Sequence, residues 1–298
     1  MPFGICRAGA DRAKHARHRP HESTPARTAD AGDNRQTVLT ELRHRDPVLF
    51  WTGAAMLLSL IVVTLLSISD TRLILGLNPW IKPMKFFTSI TIFLWTVAWF
   101  MPETTSAKGR AIVRWVIGPA MTIEMIGIVT QAARGTTSHF NFATPFDAAI
   151  FSIMGVTILV NTIAMVVFLA IIRRDTPPSR AGYISGIKMG VLLFLLASAE
   201  GALIVANNAH TVGAPDGGPG LPFLNWSTAH GDLRIAHFFG MHAMQALPLL
   251  GFLLDKGLPA DARWAKAGNL VLATGVVWVA ITGGLLLMAL QGMPLIKM

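Results

Sequence analysis

The sequence predicts an all-α membrane protein, a bundle of seven transmembrane helices, from three observations. The chain of 298 residues is 52% apolar and only 14% charged. Its apolar residues occur in blocks of about 20, the length that a helix needs to cross a hydrocarbon core about 30 Å thick. No block alternates apolar and polar residues as a membrane β-strand does, so helices must satisfy the backbone hydrogen bonds.

Seven blocks qualify as spans. They are Val48–Ile68, Met84–Met101, Ala111–Ala133, Phe146–Ile172, Ala181–Ala206, Leu233–Leu254 and Ala267–Leu290. Before the second span, Asn78-Pro79 and Lys82-Pro83 predict that the helix stops, because proline disfavours the α conformation in the residue before it. Lys82 and Lys85 either anchor this segment at the interface or meet an anionic lipid or substrate head group.

Residues 1–46 are predicted to form a disordered, basic cytoplasmic arm, and residues 47–298 a single transmembrane domain. Much of the formal charge of +9 lies in the arm, which indicates attraction to anionic lipid rather than to nucleic acid. Cys6, the single cysteine, also lies in the arm. We therefore expect neither an intramolecular disulfide nor a cysteine-based metal site.

The Lys and Arg residues near the span ends predict the orientation of the chain. With seven spans, eleven of them fall on one side and five on the other. Because basic flanks are retained in the cytoplasm, the N-terminus is predicted inside and the C-terminus outside, in the cytoplasmic (inner) membrane of a bacterium.

The longest loop, residues 207–232, is then extracytoplasmic. Its Gly and Pro content predicts no regular structure. Because it also carries Phe223, Trp226 and two histidines, we expect it to form an ordered lid.

Four spans carry a polar stripe when their residues are placed on a helical wheel at about 100° per residue. On the sixth span, Arg234, His237, Met241 and Gln245 fall within an arc of about 80°, and His242 extends it to about 140°. The pairs that share a face on the other three spans are Glu124 with Gln131, Glu200 with Asn207, and Asp147 with Asn161.

Depth predicts that several of these groups meet. At 1.5 Å per residue, Glu124, Glu200 and His242 lie roughly 9–14 Å below the outer surface, and His237 about 6 Å. The loop residues predicted to close the site from above are His139, Asn141, His210, His230 and Asp232, and Asn207 belongs to the site at the outer end of the Glu200 face. Ionisable groups are costly inside a bilayer unless they are paired or hydrated, so this set predicts a functional site opening outward. For the Asn and Gln residues the alternative is hydrogen bonding between helices.

Metal binding is one chemistry that such a set can support. His237 and His242 would be the ligands, and Glu124 and Glu200 would supply catalytic carboxylates, a combination that suits Zn, Fe or Mn. Met241 would be a ligand only for a soft ion such as Cu, and packing is its more ordinary role.

Haem b is the related cofactor. Its axial ligand would be His237 or His242, while Arg134 and Arg234 would lie near the propionates. Arg234 and Gln245 could also orient ligands or bind an anionic group. These assignments leave open whether the site holds a metal, a haem or neither.

Three functions therefore stay open. The first is a metal- or haem-dependent membrane enzyme, an oxidoreductase or hydrolase acting on a lipophilic or small substrate. The second is a proton-coupled transporter or ion pathway, in which Glu124 and Glu200 exchange protons beside His242. No inverted repeat is evident and few polar residues other than Lys188 lie in the cytoplasmic half, which disfavours alternating access. The third is a non-catalytic sensor or accessory subunit.

Overall fold

The computed structural model describes residues 31–175 and 177–297. Within them, seven helices are long and apolar enough to cross a membrane, which confirms the predicted all-α bundle and its number of spans. The helices are α1 (Ala31–Arg45), α2 (Pro47–Ser69), α3 (Ile81–Phe100), α4 (Ala107–Arg134), α5 (Pro145–Ile171), α6 (Ala181–Asn207), α7 (Leu233–Gly257) and α8 (Ala260–Leu290). Short 3₁₀ turns, Met101–Glu103 and Pro178–Arg180, lie before α4 and α6. The spans are α2 to α8.

The spans alternate in direction, which gives the bundle two distinct ends. At one end α3, α5 and α7 begin and α2, α4, α6 and α8 finish. The longest connection, residues 208–232 between α6 and α7, lies at this end, which we call the loop end. The other is the opposite end. Which of the two faces the cytoplasm stays a prediction from the basic residues.

Local sequence signals fix where several spans begin. Asp46, Ser106, Thr144 and Asp232 each place a side-chain oxygen on a backbone N–H in the first turn of α2, α4, α5 and α7. Such caps satisfy amide groups that a helix cannot pair within itself. α4 ends at Gly135, whose φ of 75° is the left-handed conformation that glycine adopts without strain.

The second span begins earlier than predicted. α3 starts at Ile81, so Lys82 and Pro83 lie in its first turn. The expectation that Pro83 stops the helix is wrong, because a first-turn residue has no intrahelical partner for its N–H and proline therefore costs nothing there.

Asp46 is the residue before α2 and is bonded to two spans. Residues 1–30 of the predicted arm lie outside the described residues and α1 covers residues 31–45, so the boundary of the arm stays a prediction. The Asp46 side chain is completely buried, accepts the Leu49 amide at 3.0 Å, and pairs with Arg114 Nε at 2.8 Å. Asp46 thus links the start of α2 to α4.

Helices α6 and α7 pack with their backbones in close approach. Three glycines four residues apart, Gly182, Gly186 and Gly190, line α6 where it meets α7. A Cβ built on Gly182 would lie 2.7 Å from the Gly251 carbonyl oxygen, and one on Gly190 would lie 2.9 Å from that of Ala243. This is the small-residue spacing that lets membrane helices touch.

At the opposite end, two connections are joined by a buried carboxylate. Glu103, 3% exposed, accepts a hydrogen bond from Arg180 Nη2 at 2.5 Å, and Arg173 Nη1 lies 3.9 Å away. The Arg173 amide also donates to the Glu103 carbonyl at 2.9 Å. The α3–α4 connection is therefore held to the α5–α6 connection.

A second buried carboxylate at the opposite end caps α6 from another span. Asp255, near the end of α7, accepts the backbone N–H of Gly182 at 2.9 Å and of Tyr183 at 2.8 Å. Arg180, at the N-cap position of α6, makes no side-chain capping bond. The start of α6 is thus satisfied by a residue more than 70 positions later.

The long loop contains a small element of regular structure. Strand β1 (Thr211–Val212) pairs antiparallel with β2 (Gly231–Asp232). The prediction that Gly and Pro exclude regular structure from the whole loop is therefore wrong at its two ends, where Gly231 itself pairs with Val212.

Candidate functional site

A chain of three titratable side chains lies at the loop end. Lys82 Nζ is 3.2 Å from His139 Nδ1, and His139 Nε2 is 4.0 Å from Glu124 Oε1. Lys82 comes from the first turn of α3, His139 from the α4–α5 connection, and Glu124 from the middle of α4. Since Glu124 precedes the end of α4 by ten residues, it lies about 15 Å inside the bundle. We call these residues the relay cluster.

The hydrogen bonding of His139 follows from the nature of its neighbours. An ammonium group can only donate, so Nδ1 accepts from Lys82, and Ser138 Oγ lies 3.1 Å from the same nitrogen. A neutral imidazole that accepts at Nδ1 carries its proton on Nε2, the nitrogen nearest to Glu124. The separation of 4.0 Å exceeds a hydrogen bond, so a bond between His139 and Glu124 requires a small approach or one bridging water.

Glu124 is the most enclosed member of the cluster. Its side chain is 2% exposed, and within the part of the chain that the structure describes, Oε2 has no hydrogen-bond partner. An unpartnered carboxylate oxygen in a membrane span is costly unless it is protonated or meets water. Glu124 therefore requires a proton or a water molecule in the native bundle.

Aromatic rings surround the imidazole of His139. The ring centroids of Phe86, Phe140 and Phe151 lie 6.0, 6.1 and 6.0 Å from that of His139. Burial lowers the pKa of His139 well below its ordinary value, and the positive charge of Lys82 acts in the same direction. His139 is thus held neutral at physiological pH.

A histidine–aspartate pair lies in the loop above the cluster. His210 Nδ1 is 2.5 Å from Asp216 Oδ2, and Asp216 also accepts the backbone N–H of His210 and of Thr211. Because a carboxylate accepts, Nδ1 is the donor and Nε2 keeps a free lone pair. Burial lowers the pKa of His210 although Asp216 opposes it. Burial alone would raise the pKa of Asp216, but its hydrogen bonds lower it below the usual range.

The two histidine groups are neighbours. The ring of Phe140 lies 5.2 Å from His210 and 6.1 Å from His139, so it packs against both. Asp216 is also within electrostatic range of Lys82. The loop therefore places its histidine–aspartate pair beside the relay cluster.

Two further cations hold the loop in place. Lys85 Nζ donates to the Leu224 carbonyl at 3.1 Å. Arg234 donates to both carboxylate oxygens of Asp232, at 2.9 and 2.5 Å, and to the Asn225 carbonyl. The second half of the loop is thus tied to the start of α3 and α7.

His237 lies under the loop but bonds to a helix backbone. Its Nδ1 is 2.7 Å from the Ala197 carbonyl, which can only accept, so Nδ1 carries the proton. Gly201 leaves room for the ring, because a Cβ there would stand 3.3 Å from His237 Cε1. His237 is within electrostatic range of His210, and no contact joins it to His242 among the described residues.

The remaining predicted site residues on the spans are separate from the relay cluster. His242 packs edge-on against Phe238, with ring centroids 4.2 Å apart, and Gln245 Nε2 donates to Thr96 Oγ1 at 3.3 Å. Glu200 is half-buried, and its Oε2 has no partner in the described chain. Over residues 31–175 and 177–297, no hydrogen bond or ion pair joins Glu124 to Glu200 or His242. Glu124, Glu200 and His242 were predicted at similar depths below the outer surface, but in the described part of the chain they do not bond to one another.

The predicted metal centre is not supported. Within the described residues, no group of three or more His, Cys, Asp or Glu side chains could hold a metal ion. His237 and His242 have separate partners, and the ammonium of Lys82 beside His139 would repel a cation. Met241, considered as a copper ligand, packs against the hydrophobic core. The described residues thus offer no set of ligands for the Zn, Fe or Cu ion that the sequence analysis assigned to α7.

The other predicted site residues support local structure. Arg134, expected near a cofactor, pairs with Asp147. The Asn207 amide donates to two loop carbonyls, at residues 209 and 211, and Asn141 holds the turn before α5. The backbone N–H of His230 donates to Ser227 Oγ at 3.0 Å, and no contact of its side chain is evident in the described chain.

Sequence reasoning missed two features of the polar interior. Lys82 was expected to contact the interface or a head group, whereas it donates to His139; its position in the first turn of α3 was hidden by the expected stop at Pro83. Glu103 and Asp255, both buried, contradict the expectation that the other half of the bundle is almost free of polar groups. Both lie at the ends of spans, where the sequence alone predicts that a carboxylate is exposed to water.

Comparison of the chain with family models, curated proteins and solved structures finds no match. Its chemistry therefore has to be inferred from the relay cluster and its surroundings.

Proposed function

We propose that this protein is a proton pathway or the proton-binding part of a coupled transporter, with Glu124 as the buried proton acceptor. The observation that carries the proposal is the buried Glu124 carboxylate, whose Oε2 has no hydrogen-bond partner in the described chain and whose Oε1 lies 4.0 Å from His139 Nε2. Protons enter from the loop end, which we place on the outer side of a bacterial inner membrane, as the basic residues predict.

The relay cluster can move a proton without leaving a charge on the imidazole. His139 gives its Nε2 proton to the Glu124 carboxylate while its Nδ1 takes a proton from the Lys82 ammonium. Lys82 becomes a neutral amine, Glu124 a neutral acid, and His139 the opposite tautomer. Lys82 then regains a proton from water at the loop end, and histidine is suited to such transfer because both ring nitrogens exchange protons.

Unpartnered polar atoms continue from the cluster towards the opposite end. Besides those of Glu124 and Glu200, the buried atoms without a hydrogen bond in the described chain are Asn161 Oδ1, Gln245 Oε1, Tyr183 Oη and Glu103 Oε2, the last with Arg173 Nη1 at 3.9 Å. Asn161 lies about 24 Å from the start of α5, and Glu103 is at the far end. Buried polar atoms of this kind are ordinarily satisfied by internal water. If internal waters satisfy these atoms, they extend the proton route beyond Glu124, which favours a pathway over a one-sided site.

The test measures proton movement into sealed vesicles. Purified protein is reconstituted with a trapped pH dye, and a potassium diffusion potential drives protons inward. We expect Glu124→Gln to lower the initial rate at least about tenfold, because the amide cannot take a proton. Lys82→Met and His139→Gln should also slow it, since each interrupts the supply to Glu124.

Glu200→Gln is the matched control. It makes the same chemical change on another span, at a carboxyl group that lacks the imidazole and ammonium neighbours, and its rate should equal that of the wild type. The proposal is wrong if wild-type vesicles take up protons no faster than protein-free vesicles, or if the two Glu→Gln variants behave alike.

The His210–Asp216 pair favours a second candidate, a membrane enzyme that uses side-chain acid–base chemistry on a lipophilic substrate. Asp216 fixes the imidazole tautomer, and the free Nε2 of His210 can act as a general base. This form of the enzyme hypothesis needs no metal ligand from α7.

The enzyme candidate is tested with total membrane lipids. Wild type, His210→Gln and the control His230→Gln are incubated with the lipids, and products are measured by mass spectrometry. Products that are lost only in His210→Gln support this candidate. If the wild type makes no product, the enzyme candidate is rejected.

A further inference from the structure

A lateral groove lies at the opposite end of the bundle, away from the relay cluster. It is enclosed by the end of α5, the first half of α6 and part of α8, and its volume is about 410 Å³. Ligand sites typically measure about 300–1,000 Å³. Its apolar walls include Leu169, Leu192 and Leu272, and the last two are 43% and 46% exposed. In a bilayer, such a groove opens to the hydrocarbon chains of lipid.

Two cations line the same groove. Lys188 lies seven residues after the start of α6, about 10 Å along the helix, and Arg174 lies at the rim beyond α5. In the described ranges neither side chain has a hydrogen bond or an ion pair. The acidic group in electrostatic range of Lys188 is Asp175, whose side chain is 82% exposed and pairs with Arg173 at 3.3 Å.

The lack of a close counter-ion distinguishes Lys188 from the acidic groups at this end. Glu103 has Arg180, and Asp255 has two backbone amides. A cation that faces an apolar groove is costly unless its head reaches water or an anion. Within the described residues, the positive charge of Lys188 in the groove therefore lacks a close negatively charged partner.

We propose that the groove binds an anionic phospholipid, with its phosphate between Lys188 and Arg174 and an acyl chain against the leucine walls. Ser185, which also lines the groove, can donate its hydroxyl to the head group. Basic pockets between transmembrane helices recognise anionic head groups in this way. A lipid fits better than a free anion because most of the lining is apolar and faces the membrane.

The experiment measures heat stability in detergent after delipidation. Phosphatidylglycerol should raise the midpoint of heat-induced aggregation by about 2–4 °C more than the same amount of phosphatidylcholine. We expect this increment to fall by at least half in the double variant Lys188→Gln/Arg174→Gln. It should also fall in Ala170→Trp, which fills the groove from an exposed position and leaves both charges in place.

Two controls match these variants. Lys108→Gln removes a positive charge at the same end outside the groove, and Ala149→Trp adds a bulky ring to an exposed position elsewhere on α5. Both should keep the full increment. The proposal is overturned if the two lipids stabilise equally, if the increment survives in both groove variants, or if glycerol phosphate stabilises as well as the lipid, which would indicate a site for a free anion.

Discussion

The close packing of α6 against α7 leads to a quantitative prediction for Gly186→Ala. A Cβ built on Gly186 would meet the backbone carbonyl group of Leu247, with its carbon at 2.7 Å, and would lie 2.7 Å from Pro248 Cα. These atoms belong to the main chain of α7, so no side-chain rotation can relieve the overlap. The helices must separate by about 1 Å to restore ordinary contact distances near 3.5 Å.

The cost follows from the contacts that this separation weakens. A leucine-sized buried side chain gains roughly 8 kcal/mol of dispersion energy in total, and a gap of 0.5–1 Å loses a quarter to a half of it. The loss is about 2–4 kcal/mol, while replacing glycine by alanine within a helix returns about 1 kcal/mol. The net expectation is a destabilisation of about 1–3 kcal/mol, which agrees with the usual cost of overpacking.

The assay is thermal denaturation in detergent, followed by the loss of monodisperse protein. Gly155→Ala on α5 is the control, because a Cβ there would have nothing within 4 Å. It should leave stability unchanged or raise it by up to about 1 kcal/mol. If Gly186→Ala is as stable as Gly155→Ala, the helices are not in backbone contact and the packing argument is refuted.

Three further predictions concern other parts of the chain. Asp46→Ala should destabilise by about 2 kcal/mol in thermal denaturation, because it loses a helix cap and an arginine partner, whereas Asp46→Asn keeps a cap and should cost about half as much; equal effects would contradict the capping role. Because burial lowers the pKa of His139 below its ordinary value of 6.5, the unfolded chain takes up this proton first as the pH falls. The free energy of unfolding should keep the full contribution of His139 above pH 6.5 and fall below that pH by at most about 1.4 kcal/mol per pH unit. In melting curves measured at several pH values, His139→Gln should show a smaller fall. In a cysteine-free background, Gly218→Cys should react with an impermeant thiol reagent on intact cells and Ala107→Cys should not; the reverse pattern would invert the orientation.

The spans were predictable because each depends on local properties of the chain. The predicted fourth and fifth spans agree with α5 and α6 to within one residue at each end. Among the first six spans, the start of α4 was predicted least well. This helix begins at Ala107 rather than at Ala111. Lys108 and Arg110 were assigned to a loop by their charge, but Ser106 caps a helix that contains them.

The composition of the site was less predictable, because wheel and depth arithmetic describe one helix at a time. They placed Glu124 and Glu200 on polar faces at similar depth, but not the rotation of α4 relative to α6. The partner of Glu124 came from a connecting loop, through His139, whose position depends on the aromatic packing around it. Sequence patterns identify groups that need partners; the partners themselves are set by tertiary packing.

Asp255 has a consequence for how the chain can be divided. A fragment ending within the long loop would contain α6 without the carboxylate that accepts its first amides, and the glycine face of α6 would have no helix against it. The complementary fragment would carry Asp255 into the membrane with no amide to bind. The two pieces, cut near Gly218 and produced in one cell, should therefore be degraded when alone and recovered when together, so that α6 and α7 act as an obligate pair during biogenesis.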